Sequence, residues 1–290
     1  MKEKLDQLIE KITRDQYSTD IYEARQDYQK LAGEIYEDDK SYETRMGLFL
    51  EWYMFDRVVP EKQLTPLETL IMDHVKGEIP EGLKNIEEFT DNIHGLFVIK
   101  KIRDHEVVAL NLLDDKKYTV RESEGKMVFQ KNELFEARIV LNNGAYCFTG
   151  NFCFHPKEAM KFIKSEVKRI VVLREKYLKE LKKVISRLKG LNSKLEKNGK
   201  EIEKINAKIQ NSKSVEKTRA LNDQLESSKK FRADLMQEIS LVEVEKSDLE
   251  VQKLKIEINQ ISNCLIQRLN YMNLKWERSR QIDLEDIYRN

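Results

Sequence analysis

The chain has 290 residues, of which 36% are charged and 40% hydrophobic, and its formal net charge is +1. With only 10 Gly and 4 Pro, the composition favours a helix-rich protein over a compact enzyme, and the length allows two domains. No stretch approaches the roughly 20 apolar residues of a membrane span, no secretory signal is recognised, and three cysteines fit no disulfide framework. We therefore expect a cytoplasmic protein without a membrane span.

Residues 1–92 predict an acidic helical head, with 12 basic against 22 acidic side chains. Apolar residues recur at helical spacing in five segments: 1–13, from Asp20 to 35, about 41–57, from Thr65 to 74, and near 82–89. Asp20 with Glu23 predicts a capping box at the start of the second helix. Thr65 as N-cap, Pro66 at the first helical position and Glu68 predict another at the fourth.

The third predicted helix is the most aromatic part of the chain. Phe49, Trp52, Tyr53 and Asp56 share one helical face by their spacing. A functional interpretation is an aromatic-lined pocket with a carboxylate. The structural interpretation is core packing, with Asp56 accepting backbone bonds from the next loop. We favour core packing, because an aromatic stripe on a helix commonly faces a core.

From Gly95 the hydrophobic period changes to two, which predicts β-strands. The predicted strands are 95–102, 105–113, 117–122, 126–130, 133–141 and 144–154. Asn142-Asn143-Gly144 predicts a hairpin turn, since Asn and Gly tolerate positive φ. Several short strands within residues 93–156 predict a small β-barrel of SH3-like or OB-like type.

Residues 157–290 predict a long antiparallel coiled-coil hairpin followed by a C-terminal helix. The first arm has a heptad seam of Tyr177, Leu181, Val184, Leu188, Leu191, Leu195, Asn198, Ile202, Ile205 and Ile209. The second arm has a matching seam of Leu221, Leu225, Ser228, Arg232, Leu235, Ile239, Val242, Lys246 and Leu249. The seams pair at an almost constant sum of residue numbers, as antiparallel packing requires. This pairing predicts a turn at 212–214 and sets polar Asn198 opposite polar Ser228.

Several motifs between residues 46 and 156 carry a resemblance to a known family. They are the aromatic helix, Thr65-Pro66-Leu67-Glu68, Leu110-Asn111-Leu112-Leu113, Tyr118-Thr119-Val120-Arg121-Glu122, the segment Glu133 to Arg138, and Gly150. In these residues the chain resembles an uncharacterised bacterial family often found with a C-terminal SEC-C zinc module. The resemblance implies a shared fold and no established activity. The Cys-rich zinc module itself is absent, and the predicted coiled coil occupies its place.

One weak metal-site candidate lies on the last predicted strand, where Cys147, Cys153 and His155 alternate on one face. Zinc would need a fourth ligand, which His94 or His105 could supply. We favour the alternative of two buried thiols and a loop histidine, because free cysteine commonly behaves as a small buried hydrophobe. The sequence therefore predicts no metal and no cofactor.

The basic charge is concentrated in the first arm, where residues 157–213 hold 18 Lys and Arg against 7 Asp and Glu. The candidate interaction residues are Lys179, Lys182, Lys183, Arg187, Asn198 and Ser228. The leading hypothesis is a non-enzymatic scaffold or adaptor whose hairpin binds another protein of unknown identity. A solvated helix face is the plain alternative for the charge, and nucleic-acid binding through the basic arm and the barrel is the alternative function.

An enzyme ranks third among the hypotheses and is not favoured, because no nucleophile motif, P-loop or GxGxxG is present. After Leu249 the apolar seam shifts to Val251, Leu254 and Ile258. An exposed seam there makes a homodimer a further hypothesis.

Overall fold

A computed structural model describes residues 2–14, 20–77, 86–122, 125–279 and 281–289. The described chain is mostly helical and contains a six-stranded mixed sheet, which agrees with the predicted α+β, mostly α, class. It divides into two compact units, Met1–Val171 with Ile261–Asn290 (unit 1) and Val172–Gln260 (unit 2). The predicted domain boundaries at 92 and 156 both fall inside unit 1.

Unit 1 begins with four helices: α1 (Lys2–Ile12), α2 (Ile21–Ala32), α3 (Tyr42–Phe55) and α4 (Pro66–Val75). A 3₁₀ turn follows at Ile86–Thr90, and part of the predicted segment 82–89 lies outside the described residues. Each helix buries the face that its apolar spacing predicts, and Phe49 and Tyr53 lie in the resulting core. The predicted core packing of the aromatic helix is therefore confirmed.

The two predicted capping boxes have different outcomes. At α4, the backbone N–H of Glu68 donates to Thr65 Oγ1 at 3.2 Å, and the N–H of Thr65 donates to Glu68 Oε2 at 2.9 Å. That capping box is confirmed. At α2, Asp20 makes no side-chain cap bond, and its carboxylate accepts from the Arg57 guanidinium at 2.9 Å instead. The α2 prediction is wrong because a charged tertiary partner competes for the carboxylate.

The sheet of unit 1 is built from six strands. They are β1 (Asn92–Ile102), β2 (Glu106–Asn111), β3 (Lys116–Arg121), β4 (Leu134–Asn142), β5 (Ala145–Phe148) and β6 (Cys153–Phe154). The strand order is β1-β2-β3-β5-β4-β6, and β4 also pairs with β1. Four of the neighbouring pairs and the β1–β4 pair are antiparallel, and the short β3–β5 pair is parallel. The structure thus supports a mixed sheet, and its SH3-like or OB-like class stays a prediction.

Two predicted strands differ from the structure. The segment predicted as a strand at 126–130 contains instead the single helical turn α5 (Gly125–Val128). Phe129 is buried in the core, with its ring 5.0 Å from Phe135, and neighbouring Val128 packs against the same core. Met127 is 87% exposed, so the apolar alternation did not mark a buried strand face. The predicted strand 144–154 is divided into β5 and β6 near Gly150, whose φ of 110° interrupts an extended strand.

Strand β4 is buried on both of its faces along most of its length. Phe135, Ala137 and Ile139 point into the aromatic core of the sheet, while Val140 joins the core of the helices. Because side chains alternate along a strand, Glu136 and Arg138 lie on the same face as Val140. Two charged side chains are thereby enclosed on the helix-facing side of the sheet.

From Lys157 onward, the elements of the chain are helices. These are a 3₁₀ turn (Lys157–Ala159), α6 (Met160–Gln210), α7 (Val215–Ser247), a π-helix (Asp248–Glu257), α8 (Ile258–Arg278) and α9 (Leu284–Ile287). No helix among the described residues is both long and apolar enough to cross a bilayer.

In unit 2, α6 and α7 pack along a single apolar cluster. Its buried members are Val184, Leu191, Leu235, Ile239, Val242 and Leu249. The side-chain amide of Asn198 donates to the carbonyl oxygen of Ser228 at 3.2 Å, and Arg187 donates to Glu238 at 2.7 Å. Asn198 and Ser228 lie at similar distances along the chain from the connection at 211–214, and Arg187 and Glu238 lie farther from it on both sides. The two helices therefore run in opposite directions.

The π-helix explains where the heptad pattern stops. A π-helix closes i to i+5 hydrogen bonds, so each turn holds more residues than an α-turn and a seven-residue repeat loses its register. Tyr177, which the sequence pairs with Leu249, donates its hydroxyl to Glu257 at 2.8 Å and lies beneath the Lys253 ammonium group. The sequence shows the seam shifting after Leu249, and the π-helix gives the physical reason.

Candidate functional site

The charged side chains on the helix-facing side of β4 form a buried polar cluster in unit 1. Arg138 is 1% exposed, and its guanidinium donates to Asp56 of α3 and to Asn92 of β1. Its Nε lies 4.0 Å from Glu51 Oε2, and its guanidinium carbon lies 4.6 Å from the centre of the Phe55 ring. Asp56 therefore holds a strand arginine rather than the backbone of the next loop.

Glu51 of α3 is a buried carboxylate of this cluster, 2% exposed. Its burial raises the pKa to about 7, against the lowering effect of the Arg138 charge and of the 2.7 Å bond that Asn151 donates. The Asn151 side chain lies directly against Gly47 of α3. A Cβ added at Gly47 would lie only 2.3–2.6 Å from the Asn151 amide group. The small residue one turn before Glu51 is thus needed for this contact.

A histidine completes the cluster from the neighbouring strand. His94 Nε2 lies 2.9 Å from Glu136 Oε1, and its Nδ1 lies 2.9 Å from the side-chain oxygen of Asn263 on α8. Glu136 is as deeply buried as Arg138, and the cluster ties α3, β1, β4 and α8 together. Both ring nitrogens of His94 are occupied, so this histidine offers no free nitrogen to a metal.

The weak metal-site candidates are all buried and do not come together as a ligand group. Cys147 on β5 lies opposite Val140, and Cys153 on β6 lies opposite Glu136; both thiols are buried, which raises their pKa. Burial lowers the pKa of His155 to about 3, and its Nδ1 lies 3.2 Å from the Tyr288 hydroxyl. Across the part of the chain that the structure describes, no three His, Cys, Asp or Glu side chains are grouped to hold a metal ion.

The predicted interaction residues fall into three classes. Lys179, Lys182 and Lys183 are exposed on α6 and form no ion pair with the described residues. Arg187 is bound to Glu238. Asn198 is buried between α6 and α7, where it contacts the backbone of half-buried Ser228, so Asn198 belongs to the interior of unit 2 rather than to its surface.

The aromatic residues of the sheet do not form an exposed stacking platform. Phe129, Phe135 and Phe148 are buried in the aromatic core, and Tyr146 and Phe152 pack against it. Nucleic-acid bases stack on exposed aromatic faces, which these side chains do not offer.

An exposed apolar face on α7 is the surface that the sequence reasoning missed. Leu241 is 65% exposed and Val244 is 66% exposed, and Met236, Phe231 and Val251 are also exposed. Leu241 and Val244 are one turn apart on the same side of α7, whereas Val251 lies in the π-helix, where the seven-residue register is lost. A search of α7 for a second apolar stripe beside its heptad seam would have found it.

A surface cavity of about 870 Å³ is present in unit 1, at the C-terminal end of α8. Trp276 and Tyr36 contribute aromatic surface to it. Arg278 lies over the Tyr36 ring and binds Asp39 through two nitrogens, while Glu277 accepts from Ser41. Of its charged groups, Arg278 is paired with Asp39, and Glu277 is also paired with Arg45 at 3.2 Å.

The chain matches a known protein family. The model of a protein family described as "Family of unknown function (DUF7986)" matches residues 1–189, which extends beyond the resembling segment 46–156 on both sides. No curated protein and no solved structure matches the chain.

Proposed function

Because the chain belongs to this family of unknown function, whose description assigns no activity, we propose from its geometry a non-enzymatic scaffold or adaptor. Its recognition element is the pair of helices α6 and α7, and its partner is an amphipathic helix of another protein. The enclosure of Glu51, His94, Glu136 and His155 supports a non-enzymatic role, since a reacting group must be reachable by its substrate.

The exposed apolar face of α7 is the observation that carries this proposal. Apolar side chains on α7 already have one buried face toward α6, through Ile239 and Val242. Leu241 and Val244 stand on a different side and lie mostly in solvent. Exposed apolar surface commonly marks a site of protein interaction, and anchors at i and i+3 suit a helix laid alongside α7.

Finer features of the fold belong to the same proposal. We propose that unit 2 is an intramolecular antiparallel coiled coil, which the heptad positions of its buried cluster and the Asn198–Ser228 contact support. We propose that the sheet is a small SH3-like or OB-like barrel, which the return of β4 to β1 supports. The cytoplasmic location, the bacterial origin and the link to SEC-C proteins stay predictions.

The scaffold proposal is tested with the full-length chain and two double variants. Leu241→Lys with Val244→Lys places charge on the exposed face, and Ser227→Lys with Lys230→Glu is a control on exposed positions of α7. A photo-crosslinker at 251 identifies the partner segment, which is then made as a peptide. We expect the peptide to bind the wild type and the control equally, and the apolar-face variant at least about tenfold more weakly. Equal binding to all three proteins would contradict the proposal.

Self-association is a distinct outcome of the same experiment. A crosslink from 251 to α7 of a second copy, with a dimer in sedimentation that the Leu241→Lys and Val244→Lys changes dissociate, would establish the homodimer instead. The proposed partner, a helix of another protein, would then be wrong, and the exposed face of α7 would still be the binding surface.

A further inference from the structure

A row of lysines runs along one exposed face of α6 within unit 2. Ten positions from 176 to 208 follow one another in steps of three and four, so they share one side of the helix. Seven of them are lysine, and we call these the lysine row: Lys176, Lys179, Lys183, Lys194, Lys197, Lys204 and Lys208. All ten positions are exposed, and the row extends about 48 Å at a rise of about 1.5 Å per residue.

The lysine row is not neutralised within the described residues. None of its seven ammonium groups takes part in an ion pair there, whereas Lys200, on an adjacent side of α6, is bound to Glu196 at 2.6 Å. Glu201 is the single carboxylate among the ten positions. Like charges three and four residues apart destabilise a helix, so the row costs stability that an anionic ligand would recover.

The middle of the row is free of bulky side chains. Its ten positions include Ser186 and Gly190 between Lys183 and Lys194. A Cβ added at Gly190 would have no neighbour within 4 Å, so packing does not require glycine there. A large anionic surface can therefore approach the helix closely between two groups of lysines.

We propose that the lysine row binds the phosphate backbone of a nucleic-acid duplex, a function that does not depend on the protein partner of α7. Single strands are bound largely by stacking on aromatic side chains, and the row has none. A membrane-surface helix needs an apolar face beside its basic one, and the ten positions include no apolar side chain. A straight series of point charges without base-reading groups suits phosphates, so binding is independent of sequence.

The test measures fluorescence anisotropy of a labelled random duplex of about 30 base pairs with the full-length protein, at about 50 and about 200 mM KCl. The row variant carries Lys179→Gln, Lys183→Gln and Lys194→Gln. The control carries Lys182→Gln, Lys189→Gln and Lys200→Gln, which changes the net charge equally on another side of α6. DNA and RNA duplexes of one sequence are compared, since both present the same phosphate chemistry.

We expect the wild type and the control to lose roughly 40- to 150-fold in affinity between the two salt concentrations, as three or four phosphate contacts require. The row variant should bind at least about tenfold more weakly at low salt, with a reduced salt dependence. Absence of salt-sensitive duplex binding by the wild type would overturn the proposal. Equal losses of duplex affinity in both triple variants would overturn it as well.

Discussion

Units 1 and 2 place their charged side chains in opposite surroundings. Unit 1 encloses Arg138, Glu136 and Glu51 between a sheet and helices, where each charge depends on fixed partners. Unit 2 buries an apolar seam with one polar side chain, Asn198, and leaves its lysines in solvent. The difference predicts that removal of a single charge is severe in unit 1 and mild in unit 2, because desolvation makes an unpaired buried charge costly.

The largest expected effect comes from removing the arginine of unit 1. Arg138→Met should lower the free energy of unfolding by about 3–5 kcal/mol, because Asp56 and Glu51 lose their buried counter-charge. Urea unfolding followed by circular dichroism measures the change. Arg121→Met, at an exposed position of β3, is the control and should change stability by less than about 0.5 kcal/mol. A similar small change at Arg138 would contradict the comparison.

The second prediction concerns the pH dependence of unit 1. Burial raises the folded-state pKa of Glu51 from 4.5 to about 7, so the folded protein holds this proton more tightly than the unfolded chain. Its stabilising contribution is complete below pH 4.5 and is lost as the pH rises through about 7. Relative to Glu51→Gln, the wild type should lose on the order of 3 kcal/mol of stability over that range.

The measurement is urea unfolding of both proteins at pH values from 4.5 to 8, with the difference between them plotted against pH. Thr119→Val, at an exposed position of β3, removes no titratable group and is the control, so its difference from the wild type should not depend on pH. Parallel curves for the wild type and Glu51→Gln would show that Glu51 keeps an ordinary affinity for its proton.

The third prediction is that replacing a buried polar side chain in unit 2 stabilises the protein, whereas replacing Arg138 in unit 1 destabilises it. Asn198 donates to the Ser228 carbonyl, but its side-chain oxygen is buried without a partner among the described residues. Asn198→Leu should raise the free energy of unfolding by about 1 kcal/mol, since apolar contact replaces an unsatisfied polar atom. Hydrogen exchange of α6 and α7 amides measures it, with exposed Asn192→Leu as control. Destabilisation would show that the polar contact holds the register at this position.

The smallest expected effect is at the glycines of α6. Gly190→Ala should stabilise unit 2 by about 0.5–1 kcal/mol, because alanine favours the helix and the added methyl meets no atom within 4 Å. Gly199→Ala should gain less, because its Cβ would lie 3.0 Å from an Arg232 nitrogen. Thermal unfolding of the two variants shows which substitution stabilises the protein more. A larger gain at Gly199 would contradict this local account.

Local patterns in the sequence determined much of the secondary structure. Apolar spacing predicted the helices of the head, and the Thr65–Glu68 capping box was confirmed because its partners lie within one turn. The period-two segments located the main strands, while a single buried anchor at Phe129 produced one false strand. The heptad seam of residues 177–249 selected side chains that form the apolar cluster of unit 2.

Tertiary structure alone decided the partners of the buried charged residues of unit 1. Asp20 faces Arg57 rather than its own helix, Asp56 binds Arg138 from a strand 82 residues away, and His94 meets Asn263 of α8. A sequence pattern reports which face of an element is buried, because that depends on neighbours along the chain. The side chain that pairs with a buried charge depends on which elements the fold brings together. Local spacing along the sequence does not identify that partner.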